Sequence, residues 1–238
     1  MRSDLERRKL GGTLILNNIR LITKCEKDKL IELSRSADSM FQREREDRIK
    51  CMEQKIAEAK DHEARQRIVD DDAPDIVDYR DYFPAIQRYL LLVMVMSWVE
   101  TKLISLCRIT DYIFEEGDPF KSRDPGVLKR AIEHLEKKAK IDTSCIEFGW
   151  TLAKYLQEIR NCIIHNEGFI DDAKIPGAIY CIINSVSGID KYEEFKGAGN
   201  KLVLELGFVE ESANNMHIFL EQLIDLIINK VVLEKTGQ

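Results

Sequence analysis

The stretch "AIQRYLLLVMVMSWVETKLISLCRI", residues 85–109, decides the architecture. It is apolar almost all round a helix, and a helix of that kind is satisfied only when other elements cover it on every side. Phe83-Pro84 precedes it, and proline is tolerated in the first helical turn. The spacing predicts a central core helix. Its most apolar part, residues 89–99, is about half the roughly 20 residues needed to span a bilayer, so no membrane partner is expected.

Toward the N-terminus, residues 26 to about 69 are highly charged. Apolar residues recur there at Leu30, Leu33, Ala37 and Met40, and again at Ile49, Met52, Ile56 and Ala59. Steps of three and four predict a long amphipathic helix, and the stripe is lost through "QREREDR". That part should project or bridge as a solvated arm, because Glu and Asp interleave every basic cluster. "DDDAP", residues 70–74, reads as the boundary, which gives a segment and charged arm over 1–72 and a helical bundle over 73–238.

Toward the C-terminus, "RDPG" (123–126) offers an Asp cap with proline next, opening a helix to about Lys140. "IDTS" leads into a further helix that ends near Gly168. Residues 169–200 are less regular, with short strands expected at "IYCII" and "KLVLEL" on either side of "GAGN". A last helix, residues 210 to 232, carries Ile218, Leu220, Leu223, Ile224, Ile227, Ile228 and Val231 as a wide core-facing stripe. The expected fold is an all-α bundle with a long N-terminal charged helix and a small irregular or β insertion.

Composition fits this reading. The chain has 238 residues, 44% apolar and 33% charged, with only 12 glycines and five prolines, which favours long solvated helices over a turn-rich β architecture. A formal charge of -6 argues against a general basic nucleic-acid coat but leaves room for a local cationic site. Cysteines at 25, 51, 107, 145, 162 and 181 form no C-x-x-C pair, so neither a disulfide framework nor a zinc knuckle is expected. The opening "MRSDLERRKLGGTLILNNIRLITK" is interrupted by Asn17, Asn18 and Arg20, unlike a secretory leader, so a cytoplasmic location is expected.

One stretch carries chemistry: "EIRNCIIHNEG", residues 158–168. At about 100° per residue, Leu152, Leu156, Ile159 and Ile163 share the core side, while Lys154, Glu158, Asn161 and His165 line the opposite one. His165 is therefore expected to look outward. Asn161 and His165 are neighbours four apart, whereas Arg160 lies about 140° round the axis from His165 and about 7.5 Å lower. One helix cannot focus both on one atom, but two copies about a two-fold axis can, each Arg160 approaching its partner's ring.

Arginine, histidine and asparagine suffice to split an RNA backbone without a metal. The ribose 2′-OH attacks, and a group of near-neutral pKa takes its proton or protonates the departing 5′ oxygen. A guanidinium holds the phosphate and the extra negative charge that develops on it. Asn161 can orient the ring or donate to a phosphate oxygen.

"RNCIIH", Arg160 to His165, resembles the R-x4-6-H motif of HEPN (higher eukaryotes and prokaryotes nucleotide-binding) domains, including the Asn directly after the arginine. "SWVETKLISLC", from Ser97 to Cys107, is similar to the E-x-x-L-x-x-L helix upstream of it in many members. The resemblance covers residues 83–232 and leaves the arm aside. It implies a four- or five-helix bundle that dimerises, with paired motifs forming a metal-independent endoribonuclease site between protomers. Many such proteins act in toxin-antitoxin, abortive-infection or other prokaryotic defence systems. Carried over by position, Arg160, Asn161 and His165 are the catalytic candidates, with Glu100, Lys154 and Asn166 supporting them. The implied partners are an RNA substrate, a second copy of the chain and an antitoxin-like regulator, and no cofactor or metal is expected.

Glu100 is the one carboxylate in the apolar helix, and a buried acid needs a partner. Structural pairing with an arginine and orientation of Arg160 are both open, and either makes a Glu100–Arg160 contact the expectation. Cys162 and His165 have metal-like spacing, but no second Cys/His pair accompanies them. His62, His134 and His217 stand alone and read as surface residues, and the Asp171-Asp172 pair reads as solvated. The alternative function is a catalytically silent helical dimer that binds a nucleotide or acts as a scaffold.

Overall fold

The computed structural model describes residues 4–114, 118–121, 126–170, 188–193 and 200–236, and the fold is all-α with one small sheet. Six helices are described: α1 (Asp4–Glu58), α2 (His62–Val77), α3 (Phe83–Phe114), α4 (Val127–Ala139), α5 (Glu147–Asn166) and α6 (Phe208–Thr236). Between α5 and α6 lie β1 (Phe169–Ile170), β2 (Ile189–Glu193) and β3 (Asn200–Leu204), antiparallel in the order β1-β3-β2.

Helix α3 is the centre, as its all-round apolarity requires. Leu92, Val95, Met96, Val99, Leu103 and Leu106 are completely buried. Helices α1, α5 and α6 pack along it, and α6 also packs on both α1 and α5, so α1 and α5 take opposite corners of a four-helix bundle. Helix α4 lies against α3, burying Leu128, Ala131, Ile132 and Leu135 at helical spacing. The α1/α3 contact is close at its end. A Cβ added to Gly12 would stand 2.4 Å from Ile113 Cγ1, so only glycine lets the two backbones approach this far.

The long charged helix is present, but it starts at Asp4, well before the amphipathic stripe at residue 26. Its first part belongs to the bundle, burying Leu16, Thr23, Ile31 and Ser34. From 35 to 83 no residue is buried, and there α1 doubles back on α2 as a projecting hairpin. Arg48 to Asp75 (2.9 Å) and Lys55 to Asp72 (2.8 Å) tie the two strands of the hairpin, and Phe41, Tyr79 and Phe83 pack their rings at its root.

The boundary expected at "DDDAP" falls elsewhere: residues 70–74 lie inside α2, with Pro74 in the helix, and the chain breaks at 59–61 instead. Asp61 caps α2 by accepting from the Ala64 amide at 2.8 Å, a local signal that outweighs the proline. A π-helical turn, Asp78–Tyr82, then joins α2 to α3 as one continuous rod, His62–Phe114. That rod contains an 18-residue stretch long and apolar enough to cross a membrane, longer than the apolar run read at 89–99, and half of it is buried inside the bundle.

Other expectations divide. The helix after "RDPG" is α4, opened by Gly126 in the left-handed region without a side-chain cap, while the expected Asp cap at 124 lies outside the described residues. "KLVLEL" overlaps β3, which begins one residue earlier at Asn200, "IYCII" and Asp171-Asp172 lie outside the described residues, and β2 was not foreseen. In α6 the stripe from Leu220 to Val231 is buried except Ile228, which is half-buried, but Ile218 is 53% exposed.

Candidate active site

Helix α5 is oriented by what it buries. Gly149, Ala153, Leu156, Ile159 and Cys162 face the core, and Leu152 and Ile163 flank that line half-buried. Gly149 sits where a Cβ would come within 2.9 Å of the Phe219 ring, so α5 rides close on α6. This fixes the outer face: Lys154, Glu158 and His165 are exposed and Asn161 is half-buried, in the order read from the spacing.

The C-terminal end of α5 is held from three sides. The chain leaves through Glu167 (φ 53°) and Gly168 (φ 82°), both left-handed, and the amides of both return to the Cys162 carbonyl. The Leu202 amide of β3 donates to the Gly168 carbonyl at 2.9 Å, and the Tyr89 hydroxyl of α3 donates to the Leu202 carbonyl. Next to it, Arg88 donates to the Leu204 carbonyl (3.1 Å) and pairs with Asp38 of α1 (3.0 Å). The tip of α5, the sheet and the root of the arm therefore share one pole of the bundle. Tyr89 was read only as part of an apolar run; its signal is that a buried phenol needs a partner.

Among the described residues, Arg160 donates from Nη1 to Asn161 Oδ1 at 3.0 Å, and its Nε is buried without a partner. His165 is exposed in the last turn with no side-chain partner among the described residues, and Asn166 beside it is also exposed. Lys154 turns away, its ammonium 5.1 Å from the Trp150 ring. The expected Glu100–Arg160 contact is absent: Glu100 is half-buried on α3 and forms no ion pair among the described residues. Burial raises the Cys162 thiol above its ordinary value, and no cluster of three metal-ligating side chains occurs among the described residues.

The helix therefore presents a guanidinium steadied by an amide and, about 7.5 Å further along and 140° round, an exposed imidazole. Within one chain they diverge, so one chain offers two half-sites and not one pocket.

Two other histidines are not the surface residues expected. His134 is largely buried and its Nε2 lies 2.8 Å from Asp111, which also accepts from the Phe120 amide at 2.8 Å and draws Lys138 to 3.5 Å. His217 is half-buried at the α1/α6 contact, its Nδ1 without a hydrogen-bond partner among the described residues. His62 is exposed, as read. Amphipathic spacing alone could not place these rings, because each lies at a helix edge that a neighbouring element happens to cover.

No family model, curated protein sequence or solved structure matches this chain.

Proposed function

We propose that the chain is a metal-independent endoribonuclease of HEPN type, working as a homodimer in which the outer faces of two α5 helices meet. The observation that carries the reading is the exposed His165 on the outer line of the last turns of α5, with the half-buried Asn161 on the same line holding the half-buried Arg160 at its flank. The buried helix bearing Glu100, Leu103 and Leu106, in the E-x-x-L-x-x-L pattern, supports it from the core side.

About a two-fold axis, Arg160 of one copy completes the site of the other's His165. The imidazole takes the proton of the ribose 2′-OH, the 2′ oxygen bonds to phosphorus, and the bond to the 5′ oxygen breaks, leaving a 2′,3′-cyclic phosphate. The proton then passes to the 5′ oxygen. Arg160 holds the non-bridging oxygens as charge builds on them. Asn161, its carbonyl already engaged by Arg160, has its amide N–H groups left to donate to the phosphate. Such an enzyme belongs in prokaryotic defence or a toxin-antitoxin pair, in the cytoplasm, with an antitoxin-like regulator to restrain it.

A second reading is a silent dimer that binds a nucleotide or serves as a scaffold, and it is favoured because neither Glu100 nor His165 has a side-chain partner among the described residues. Incubation of purified protein with tRNA and mRNA in EDTA separates the two. Cyclic phosphate ends that disappear with His165→Ala and with Arg160→Ala are expected, whereas nucleotide binding by calorimetry without RNA turnover would establish the silent reading.

A further inference from the structure

We propose that the outer face of α1 is a self-association seam on which a second copy of this chain lies antiparallel. The proposal goes beyond the ribonuclease reading and does not depend on it.

Arg7, Leu14, Asn18, Leu21, Cys25 and Glu32 all fall on the a and d positions of one seven-residue repeat, and all six are exposed. They lie on the side of α1 opposite the buried Leu16 and Thr23, so over this stretch α1 is apolar on both its inner and its outer faces. A helix covered on one side only should be polar on the other. Instead Leu14 is 59% exposed and Leu21 64%, and Ile15 (43%) and Ile22 (51%) flank them. Four such side chains leave on the order of 300 Å² of contiguous apolar surface, the size at which patches mark interaction sites.

The charges at the two ends of the seam name the occupant and its direction. Arg7 and Glu32 have no ion-pair partner among the described residues. A parallel copy would set Arg7 on Arg7 and Glu32 on Glu32. An antiparallel copy, with Asn18 beside its mate's Leu21, sets Arg7 against Glu32 and Leu14 against Cys25, twice over by symmetry. The same a and d positions also hold Gly11 and Asp28, which this register sets against each other, and a polar Asn inside such a seam is a known device for fixing register. A lipid surface fits less well, since Asn18 interrupts the stripe and an acid closes it. Because α1 and α5 occupy opposite corners of the bundle, this contact leaves both α5 faces free.

Sedimentation velocity from roughly 1 to 100 µM is the first test. Wild-type chain is expected to gain mass with concentration, and Leu21→Glu, with helical circular dichroism retained, to sediment at half the wild-type mass. The second test leaves the fold untouched. In a Cys51→Ser, Cys145→Ser background, Leu14→Cys is expected to form a disulfide with Cys25 of another copy under copper-phenanthroline oxidation, mapped by peptide mass. A Leu21→Glu chain of unchanged mass, a failed Leu14→Cys crosslink, or a Cys25–Cys25 crosslink in its place would overturn the proposal. So would a chain that stays monomeric while pelleting with phosphatidylglycerol vesicles. RNA cleavage by Leu21→Glu reports on α5 alone, so loss of either idea leaves the other standing.

Discussion

Arg160 and Asn161, neighbours in sequence, are joined side chain to side chain at 3.0 Å on a half-buried flank of α5. Adjacent helical residues normally diverge by about 100°, so the long guanidinium arm bends back to its neighbour. The bond fixes which end of the Asn161 amide faces out.

From it follows a graded series in the EDTA cleavage assay. His165→Ala and Arg160→Ala are each expected to reduce cleavage by roughly 10²–10⁴-fold. Asn161→Asp sets a carboxylate against the guanidinium and spends its charge locally, so about a 10-fold or greater fall is expected with circular dichroism unchanged. Equal activity of Asn161→Asp and wild type would show that the Arg160 charge is not used.

Gly12→Ala is expected to destabilise the chain by about 1–3 kcal/mol in urea titration, because its methyl carbon would lie 2.4 Å from Ile113 Cγ1. Ile113→Ala alone should cost about 2–5 kcal/mol for the cavity it leaves. The double variant is expected to cost less than the sum, since each change relieves the other. Simple additivity would mean that α1 does not sit this close.

Gly168→Ala combines backbone strain at φ 82° with a clash 2.5 Å from the Tyr89 hydroxyl oxygen. Gly207→Ala meets strain at φ 88° but open space. The first is therefore expected to lose more stability than the second, by about 1–3 kcal/mol. Hydrogen exchange at the Leu202 amide should also rise in Gly168→Ala alone, because that amide bonds to the Gly168 carbonyl.

Burial holds the His217 imidazole below its ordinary 6.5, with Glu221 and Asp28 opposing and Lys27 and Lys24 reinforcing the shift. The folded chain therefore prefers the neutral ring. The stability it contributes is complete above about pH 6.5 and is lost as pH falls through the lower folded value, where the unfolded chain binds the proton more readily. Urea midpoints are expected to decline between about pH 7 and 5 in wild type, and His217→Gln should flatten that decline. Identical slopes for the two would refute the assignment.

The parts of the fold legible in the sequence are those where one helix's own pattern decides its place. Residues 85–109 had to be central because no face was polar, and α5 displayed its outer line because its core line was regular. What escaped depended on a second element. Residues 4–25 did not read as a bundle helix because Asn17, Asn18 and Arg20 interrupt their apolar run, and the packing role of Gly12 shows only once Ile113 is seen filling the space. β2, with Asp190, Lys191 and Glu193 among its five residues, owes its form to pairing with β3 rather than to alternation. "DDDAP" looked like a linker, yet Asp72 and Asp75 are held by cations on α1, far away in sequence. On α5 the outward line of Lys154, Glu158 and His165 was readable, while the Arg160–Asn161 bond and the lack of an ion pair at Glu100 among the described residues were not, since both depend on rotamers.

Arg88 has a mechanical consequence. One guanidinium grips Asp38 at the base of the hairpin and the Leu204 carbonyl of the sheet, and two residues back along that strand Leu202 is bound by Tyr89 and, through its amide, by Gly168. The hairpin is a lever whose fulcrum is this chain of bonds. Torque on its far end has, besides the continuous helices α1 and α3, a hydrogen-bonded route to the last turn of α5, where the imidazole sits.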